Sequence, residues 1–510
     1  MANTISIIPY PILVIEKNGI FNISNNTVVI SPDFTKEIKS SVSSLLSKAS
    51  INCKFNNDNP NIVLIKSDSY KNYSLSNKES YCIDVADDKI TLWASADPGF
   101  YYGFVTLTQL FMQGEGSISQ LFIYDKPQYE WRGFMLDVSR SFYTVEFVKK
   151  VIDLCAFHKL NRFHWHLTDD QGWRVPIREY PLLTEIGGKR VAPRKPRVED
   201  GYDEYLVIRR RYYNEEEIAD IVKYASERFI TIVPEIELPG HASALLASYP
   251  EFGCTQGPYQ VEHRWGIFHE ILCAGNDKIF DLYDKIFENI ARMFPGQYVH
   301  IGGDECRTPR WEKCPKCQKR MKDENLVSTA QLQTWVTAKM VKLLEKHGKT
   351  PIGWDEVLDN TEIIPVPDDL IVQSWRGIEG GEKATELKHK VIMSPQTMCY
   401  TNLKPYDNFE EPGMLGFTTI EKAYSFTPVT AGMKEENAHL VLGGEGALWT
   451  EEIRSSRLAE YLMFPRLCAI AECLWLPESS KDFDRFNINL VEHKKRLDKL
   501  DVLYYKGPAK

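Results

Sequence analysis

The sequence predicts a (β/α)8 barrel preceded by a small α+β domain, and three observations carry that prediction. The chain has 510 residues, which leaves room for a barrel of roughly 250 residues or more and a companion. From Trp131 onward, eight short apolar runs recur, each ending in polar or aromatic residues and usually followed by a helical stretch. The first part of the chain lacks that alternation. The expected boundaries are 1–125 for the small domain and 126–510 for the barrel.

In the first part, Ile62–Ile65, Tyr81–Val85 and Lys89–Ala94 are rich in β-branched and aromatic residues and read as strands. Asp87-Asp88 marks a hairpin turn between the last two. Phe100, Phe104, Leu107 and Phe111 recur at helical spacing, which predicts a helix over Asp97–Phe111. No catalytic grouping occurs here, so the domain reads as a structural companion.

The eight runs are Gly133–Asp137, Arg162–Thr168, Ile230–Ile236, Tyr298–Gly303, Pro351–Trp354, Leu370–Trp375, Val391–Ser394 and Leu440–Trp449. Strands alternating with helices give a parallel sheet, and eight of them close into a barrel. Between them, Glu215–Phe229 and Phe280–Phe294 carry helical periodicity. The connections over about 170–214 and 238–279 are long. Long loops in a compact enzyme usually cover a site.

Composition narrows the function. Hydrophobic residues make up 43% and charged residues 26%, an ordinary globular profile. The net charge is −9 with no long basic tract, which argues against nucleic acid and anionic membranes as partners. No apolar stretch is long enough to span a bilayer. Ile5–Ile15 is broken by Pro9 and Pro11 with no cleavage site after it, so no signal peptide is expected in this chain.

Eleven cysteines leave at least one thiol unpaired in a monomer. Cys314 and Cys317 form a C-x-x-C with Cys306 just upstream. Three thiols are the beginning of a zinc site, but no fourth ligand stands at zinc spacing nearby. A local disulfide or plain structural thiols are the readings preferred.

Barrel chemistry gathers at the C-terminal ends of the strands. Read in order, those ends carry Asp137 and Arg140; Asp169 and Asp170; Glu235, Glu237 and His241; Asp304 and Glu305; Trp354, Asp355 and Glu356; Trp375 and Arg376; Tyr400 and Asn402; and Trp449 and Glu451. Sugars stack their C–H faces on indole and pair their hydroxyl rims with carboxylate and guanidinium. The set therefore points to a carbohydrate pocket. A metal site built on His164, His166, His241 and His300 is the competing reading. His164 and His166 flank Trp165 on one strand, so both imidazoles face one side and the indole the other. Imidazoles facing the barrel interior are equally satisfied by hydrogen bonds.

His300-Ile-Gly-Gly-Asp-Glu305 resembles the signature of glycoside hydrolase family 20, the β-N-acetylhexosaminidases. Six further blocks resemble the family's in its order: Arg132–Arg140, Phe163–Arg174, Val233–His241, Gly353–Glu356, Gln373–Arg376 and Leu448–Glu451. The first part of the chain is similar to the α+β domain that precedes the barrel in that family. The resemblance implies an exo-acting, retaining enzyme that removes terminal β-linked GlcNAc or GalNAc from glycans or chitooligosaccharides. It implies no cofactor and no metal, and a secreted, periplasmic or lysosomal setting. It assigns no oligomeric state.

By that resemblance Glu305 is the general acid and Asp304 orients the substrate's acetamido group, whose oxygen attacks the anomeric carbon. Tyr400 holds that oxygen. Trp354, Trp375 and Trp449 form the pocket wall. Arg140, Asp169 and Glu451 bind the O3 and O4 hydroxyls and close the pocket, while His241 and His300 orient carboxylates. Asn402 departs from the pattern, because many members have aspartate there, next to the sugar's 6-position. Lys404 adds attraction for an anion only if its loop turns inward. A chitinase-like endo-hydrolase would need an Asp-x-x-Asp-x-Asp-x-Glu motif that is absent here. A non-catalytic sugar-binding relative would have lost Glu305.

Overall fold

The computed structural model describes residues 5–23, 26–31, 34, 36–191, 208–359, 361 and 364–507. Eight parallel strands close into a barrel: Trp131–Asp137, Arg162–His166, Thr231–Glu235, Tyr298–His300, Thr350–Trp354, Ile371–Ser374, Val391–Met393 and Val441–Leu448. All eight predicted runs fall on these strands. The run predicted to continue to Gly303 stops at His300, because Gly302 and Gly303 turn into left-handed backbone at φ +65° and +98°. The two predicted helices are Glu215–Ser226 and Lys278–Met293. The first is closed by a capping box between Asn214 and Glu217.

Ahead of the barrel lies a seven-stranded mixed sheet. Its strands include Ile62–Lys66, Tyr81–Val85 and Ile90–Ala94, and the helix Asp97–Gln113 packs on them. The Asp87-Asp88 hairpin closes with the Ala86 N–H on the Lys89 carbonyl. The remaining strands are Leu13–Asn22, Thr27–Ile30, Asn52–Phe55 and Ser117–Asp125. Leu13–Asn22 is an edge strand, mostly exposed and rich in charge and Asn, so it lacks the apolar alternation that reveals a strand.

Side-chain alternation layers the barrel interior. Trp131, Val233, Ile352, Ile371, Ile392 and Leu442 form an apolar plug at the bottom. Above it, Glu445 accepts from Trp131 Nε1 at 3.0 Å and Gln373 Nε2 at 3.1 Å, and meets His164 Nδ1 at 2.7 Å. His164 and His166 point inward together, while Trp165 packs outside against Tyr213 and Phe294. Among the described residues, no helix is long and apolar enough to cross a membrane.

A buried charge cluster joins the two parts. Lys159, fully buried on the barrel, places Nζ 2.9 Å from Asp125 Oδ2 and 2.8 Å from the Tyr81 hydroxyl. Trp475 Nε1 donates to the other Asp125 oxygen at 2.8 Å. Breaking a buried pair by removing one partner strands the other charge, at a cost of about 3–5 kcal/mol. Lys159→Met is therefore expected to destabilise by about that amount, read from its urea midpoint. Adding Asp125→Asn should return part of the loss. A midpoint equal to wild type in Lys159→Met would show that the pair does not hold the parts together.

Candidate active site

The loop after the fourth barrel strand carries Asp304 and Glu305, and its backbone dictates where they point. A Cβ on Gly302 would sit 1.7 Å from Glu237 Oε2, and one on Gly303 would sit 2.9 Å from Val357 Cγ1. Only glycines let the chain turn sharply there. Glu305 itself adopts φ +48°, which a residue with a side chain holds only when its surroundings fix it.

His241 answers from the loop after the third strand. Its Nδ1 lies 3.1 Å from Asp169 Oδ1 and 3.1 Å from Asp170 Oδ2. Its Nε2 lies 3.5 Å from Asp304 Oδ2 and 3.7 Å from Glu305 Oε2. Burial works against charge on this imidazole, but Asp169 and Asp304 outweigh it and hold its pKa well above the ordinary histidine value. This environment favours the imidazolium form beside the carboxylate pair. Gly240 allows the two loops to meet, since its side-chain position faces the Asp304 carbonyl at 3.2 Å.

Arg140 anchors a second corner. Its guanidinium reaches Asp169 Oδ2 at 2.6 Å, Asp137 Oδ2 at 3.3 Å and Glu451 Oε1 at 3.6 Å. Its Nε donates to Gln171 Oε1 at 2.9 Å, and its Cζ sits 5.0 Å from the Trp449 ring. Asp169 is deeply buried, which alone would raise its pKa, yet Arg140 and His241 hold it well below the usual carboxylate range. Asp137 accepts the N–H groups of Ser139, Arg140 and Thr450, tying the first strand end to the last.

The aromatic residues form one wall. Trp354, Tyr400 and Trp449 pack with Met135 and Ala447, and Trp375 and Leu403 lean on them. The Trp375 and Tyr400 rings are parallel within 8° at 6.3 Å, and Trp354 and Trp449 are 5.8 Å apart. Trp354 is sealed and donates Nε1 to Glu235 at 2.8 Å, so it forms the floor rather than the rim. Asn402 is also buried, between Tyr400 and Leu403 of this wall. Its Nδ2 contacts Met414 Sδ at 3.0 Å. Lys404 does not turn inward: its Nζ binds the carbonyls of Asn408 and Phe409.

Several buried polar atoms here have no hydrogen-bond partner among the described residues: Asp304 Oδ1, Asn402 Oδ1, Trp449 Nε1, Glu451 Oε2 and both Glu237 oxygens. Buried polar groups are normally paired. Such a concentration at strand ends suits a pocket that completes its bonds with a polar ligand.

Beneath the pocket is a hub that sequence reasoning named only in part. Glu235 meets His164 Nε2 at 3.0 Å and His300 Nδ1 at 2.9 Å, and also pairs with His166 Nδ1. His166 passes the contact on to Asp169 at 2.8 Å. The spacing His164, His166 signalled inward imidazoles. Glu445 gave no motif, since one polar residue in an apolar strand looks like any other, and Gln373 opened the Gln373–Arg376 block without a role of its own. Glu237 and Glu356 stood at strand ends, but only the fold shows that both Glu237 oxygens lack a partner among the described residues and that Glu356 accepts from Trp375 Nε1 at 2.9 Å. Burial and the neighbouring Asp304 push the Glu237 carboxyl well up and the Glu356 carboxyl to about 9.

Comparison with known proteins follows this geometry. Residues 129–478 match the model of the glycosyl hydrolase family 20 catalytic domain, and residues 4–126 match that family's domain 2. A β-hexosaminidase of Porphyromonas gingivalis is 36% identical, over 98% of this chain and 64% of its own length. One of Akkermansia muciniphila is 32% identical, over 82% of this chain and 83% of its own. The chain thus spans under two thirds of the first of these. Among solved structures, the Vibrio harveyi exo-β-N-acetylglucosaminidase in complex with N-acetylglucosamine superposes with a TM-score of 0.86. That pair is 30% identical and covers 98% of this chain and 78% of the other. The Bacteroides fragilis β-N-acetylhexosaminidase gives 0.82 at 29% identity, covering 99% and 97%.

The Glu356 environment makes a pH prediction. An unfolded glutamate titrates near 4.5, whereas the folded one keeps its proton to about 9. The folded state thus binds more protons across that window, and stability falls as pH rises through it. Glu356→Gln removes this contribution. The wild-type urea midpoint is expected to drop more between about pH 6 and pH 9 than that of Glu356→Gln. Parallel profiles would show that Glu356 ionises like an exposed carboxyl.

Proposed function

The chain belongs to glycosyl hydrolase family 20, and on that premise we propose that it releases terminal β-linked GlcNAc or GalNAc from glycans or chitooligosaccharides. The observation that carries this reading is the contrast within the Asp304–Glu305 pair. The Glu305 side chain is 31% exposed, and burial and Asp304 raise its pKa above the ordinary value. A carboxyl that keeps its proton at a pocket mouth is suited to protonate a leaving oxygen. Asp304 is more buried and has one oxygen free of protein partners. It is suited to accept the acetamido N–H and to balance the positive charge that develops as the acetamido oxygen attacks.

In this scheme the bond from the anomeric carbon to the leaving oxygen breaks as the acetamido oxygen bonds to that carbon. Glu305 gives its proton to the leaving oxygen. Water then opens the oxazolinium ion, with Glu305 as base, and the product keeps the β configuration. Tyr400 is suited to hold the acetamido oxygen near attack distance, which is an entropic contribution. Arg140 with Asp169 and Glu451 presents charged groups to the far hydroxyls and leaves no room for a further sugar, hence exo action. Trp375 and Trp449 supply the stacking surface over the sealed Trp354 floor.

The decisive assay is a panel of aryl glycosides with and without the acetamido group. Aryl β-GlcNAc should be cleaved and aryl β-glucoside should not. Equal turnover of both would overturn substrate assistance. Glu305→Gln should lose about 10²–10⁴-fold in kcat on poor leaving groups and less on activated aryl ones. In wild type, kcat/KM should fall as pH rises through the raised Glu305 pKa, and Glu305→Gln should lack that limb. An unchanged alkaline limb in the variant would show that another group donates the proton.

Asn402 makes a separate prediction about specificity. We place it beside the sugar's 6-position. Two unit charges about 4 Å apart at an effective dielectric of about 20 repel by roughly 4 kcal/mol, an upper figure for an open pocket. An aspartate there would repel a 6-sulfate, and the neutral amide does not. The kcat/KM ratio of 6-sulfated over unsulfated aryl GlcNAc should fall at least several-fold in Asn402→Asp. A constant ratio would place residue 402 away from the 6-position.

A further inference from the structure

Outside the pocket, folding collects four cysteines from three separate segments. Cys254 and Cys273 stand at the two ends of a long excursion after the third barrel strand. Cys314 and Cys317 stand at the start of the helix Pro315–Asp323. Their sulfurs all lie within 4.8 Å of one another. Cys306, which the sequence placed with the C-x-x-C pair, is not among them. The other two thiols were invisible because they come from the preceding loop, with Cys273 and Cys254 standing 41 and 60 positions before Cys314.

The geometry is specific. Cys254–Cys317 is 3.8 Å, and Cys273 is 3.7 Å from both Cys314 and Cys317. A tetrahedral ion with metal–sulfur bonds of about 2.3 Å holds its ligands about 3.8 Å apart. A disulfide would bring sulfurs in pairs to about 2.0 Å and has no need of four together. Here Cys273 and Cys317 each have two sulfur neighbours at the tetrahedral edge length.

The surroundings suit thiolates. Cys314 occupies the N-cap of Pro315–Asp323 and its side chain makes no capping bond, while Cys317 lies in the first turn. A helix N-terminus favours negative charge. Gly275 lets the two segments touch, since a Cβ there would meet the Lys316 carbonyl and the Cys317 N at 2.2–2.4 Å. The Gly275 N–H then reaches the Cys273 and Cys317 sulfurs.

We propose that Cys254, Cys273, Cys314 and Cys317 bind one structural zinc ion that pins the 254–273 excursion to the segment following Asp304 and Glu305. Closed tetrahedral thiolate sites are structural, with no open position for water. The ion takes no part in bond cleavage. Its effect is mechanical: the excursion reaches back to the pocket, where Glu262 N–H donates to the Asp170 carbonyl at 3.0 Å and Gln171 Nε2 donates to the Arg264 carbonyl at 3.1 Å. Asp170 holds His241 and Gln171 holds Arg140. The base of that brace is the sulfur cluster.

The test is metal analysis of the full chain purified with reductant and without chelator. One zinc per chain is expected, released by a thiol-specific mercurial. Cobalt substitution should give intense sulfur-to-cobalt charge-transfer absorption and tetrahedral ligand-field bands. Cys317→Ser should lose the metal, and should show a lower Tm and faster proteolysis within 254–273. Should that variant fail to fold, Cys254→Ser keeps three thiolates and should release zinc to a chelator at least about tenfold faster than wild type. Cys53→Ser, in the small domain, should keep its full zinc. Metal-free protein that takes up no zinc on reconstitution would overturn the proposal. An intact mass short by four hydrogens, marking two disulfides, or stoichiometric iron in place of zinc would do the same.

Discussion

The buried carboxylate of Glu235 is the contact on which the site depends. It stands on the barrel axis and meets His164, His166, His300 and Trp354 at once. Burial alone would drive it to protonate, but the histidines hold its pKa well below the usual range. In return it helps raise His164 to about 9 and His166 to about 10 against their own burial. Glu235, His164 and His166 favour one another's charged forms, whereas burial lowers the pKa of His300. A buried charge without its partner is strongly destabilising, so the cluster fixes strand ends two, three, four and five relative to one another. His166 extends that order to Asp169, and Asp169 extends it to Arg140 and His241.

Above this hub the carboxylates outnumber the cations. Asp137, Asp169, Asp170, Glu237, Asp304, Glu305, Glu356 and Glu451 crowd the strand ends around Arg140, His166 and His241. Some of them must hold protons, because adjacent negative charges in a poorly solvated space resist ionising together. The fold decides which. Glu237 is raised but enclosed, and Glu356 is raised but 13% exposed and engaged by Trp375 Nε1. Glu305 is raised and open to the pocket mouth. Among the raised carboxyls, Glu305 is set apart by exposure, not by residue type.

Much of this was legible in the sequence, for identifiable reasons. Short apolar runs with polar or aromatic ends exposed every barrel strand, since a strand covered on both faces is apolar along much of its length. Carboxylates and tryptophans at strand ends located the pocket, and His164 with His166 revealed an inward polar column. The mixed sheet was harder to read, because Leu13–Asn22 is an exposed edge without a buried face. Contacts between distant segments were also out of reach. Glu445 beneath His164, Gln171 on Arg140 and Cys254 beside Cys317 are pairings of topology, with partners 281, 31 and 63 positions apart. The long connections over 170–214 and 238–279 were expected to cover a site. Of the first, residues 192–207 lie outside the described residues, and the second supplies His241 and the brace at Glu262.

Strain follows the same map. His241 and Glu305 both hold left-handed backbone, at φ +46° and +48°, beside Gly302 and Gly303. Each such non-glycine conformation costs on the order of 1–3 kcal/mol and persists only where neighbours over-determine it. His241 is fixed by Asp169 and by Asp170, which also accepts the N–H and hydroxyl of Ser243. The turn before Glu305 is fixed by Gln333 Nε2 on the Gly303 carbonyl at 2.9 Å and by the close approach of Gly240. On its far side, the chain from Cys306 runs directly into the segment bearing Cys314 and Cys317. The two strained loops, which meet where Gly240 faces the Asp304 carbonyl, belong to the same two segments that the four thiols bring together. An ion bound by those thiols would resist the separation of the loops that relaxing either backbone requires, and would so tie the sulfur cluster to the Asp304–Glu305 turn through strain, with no shared atom between them.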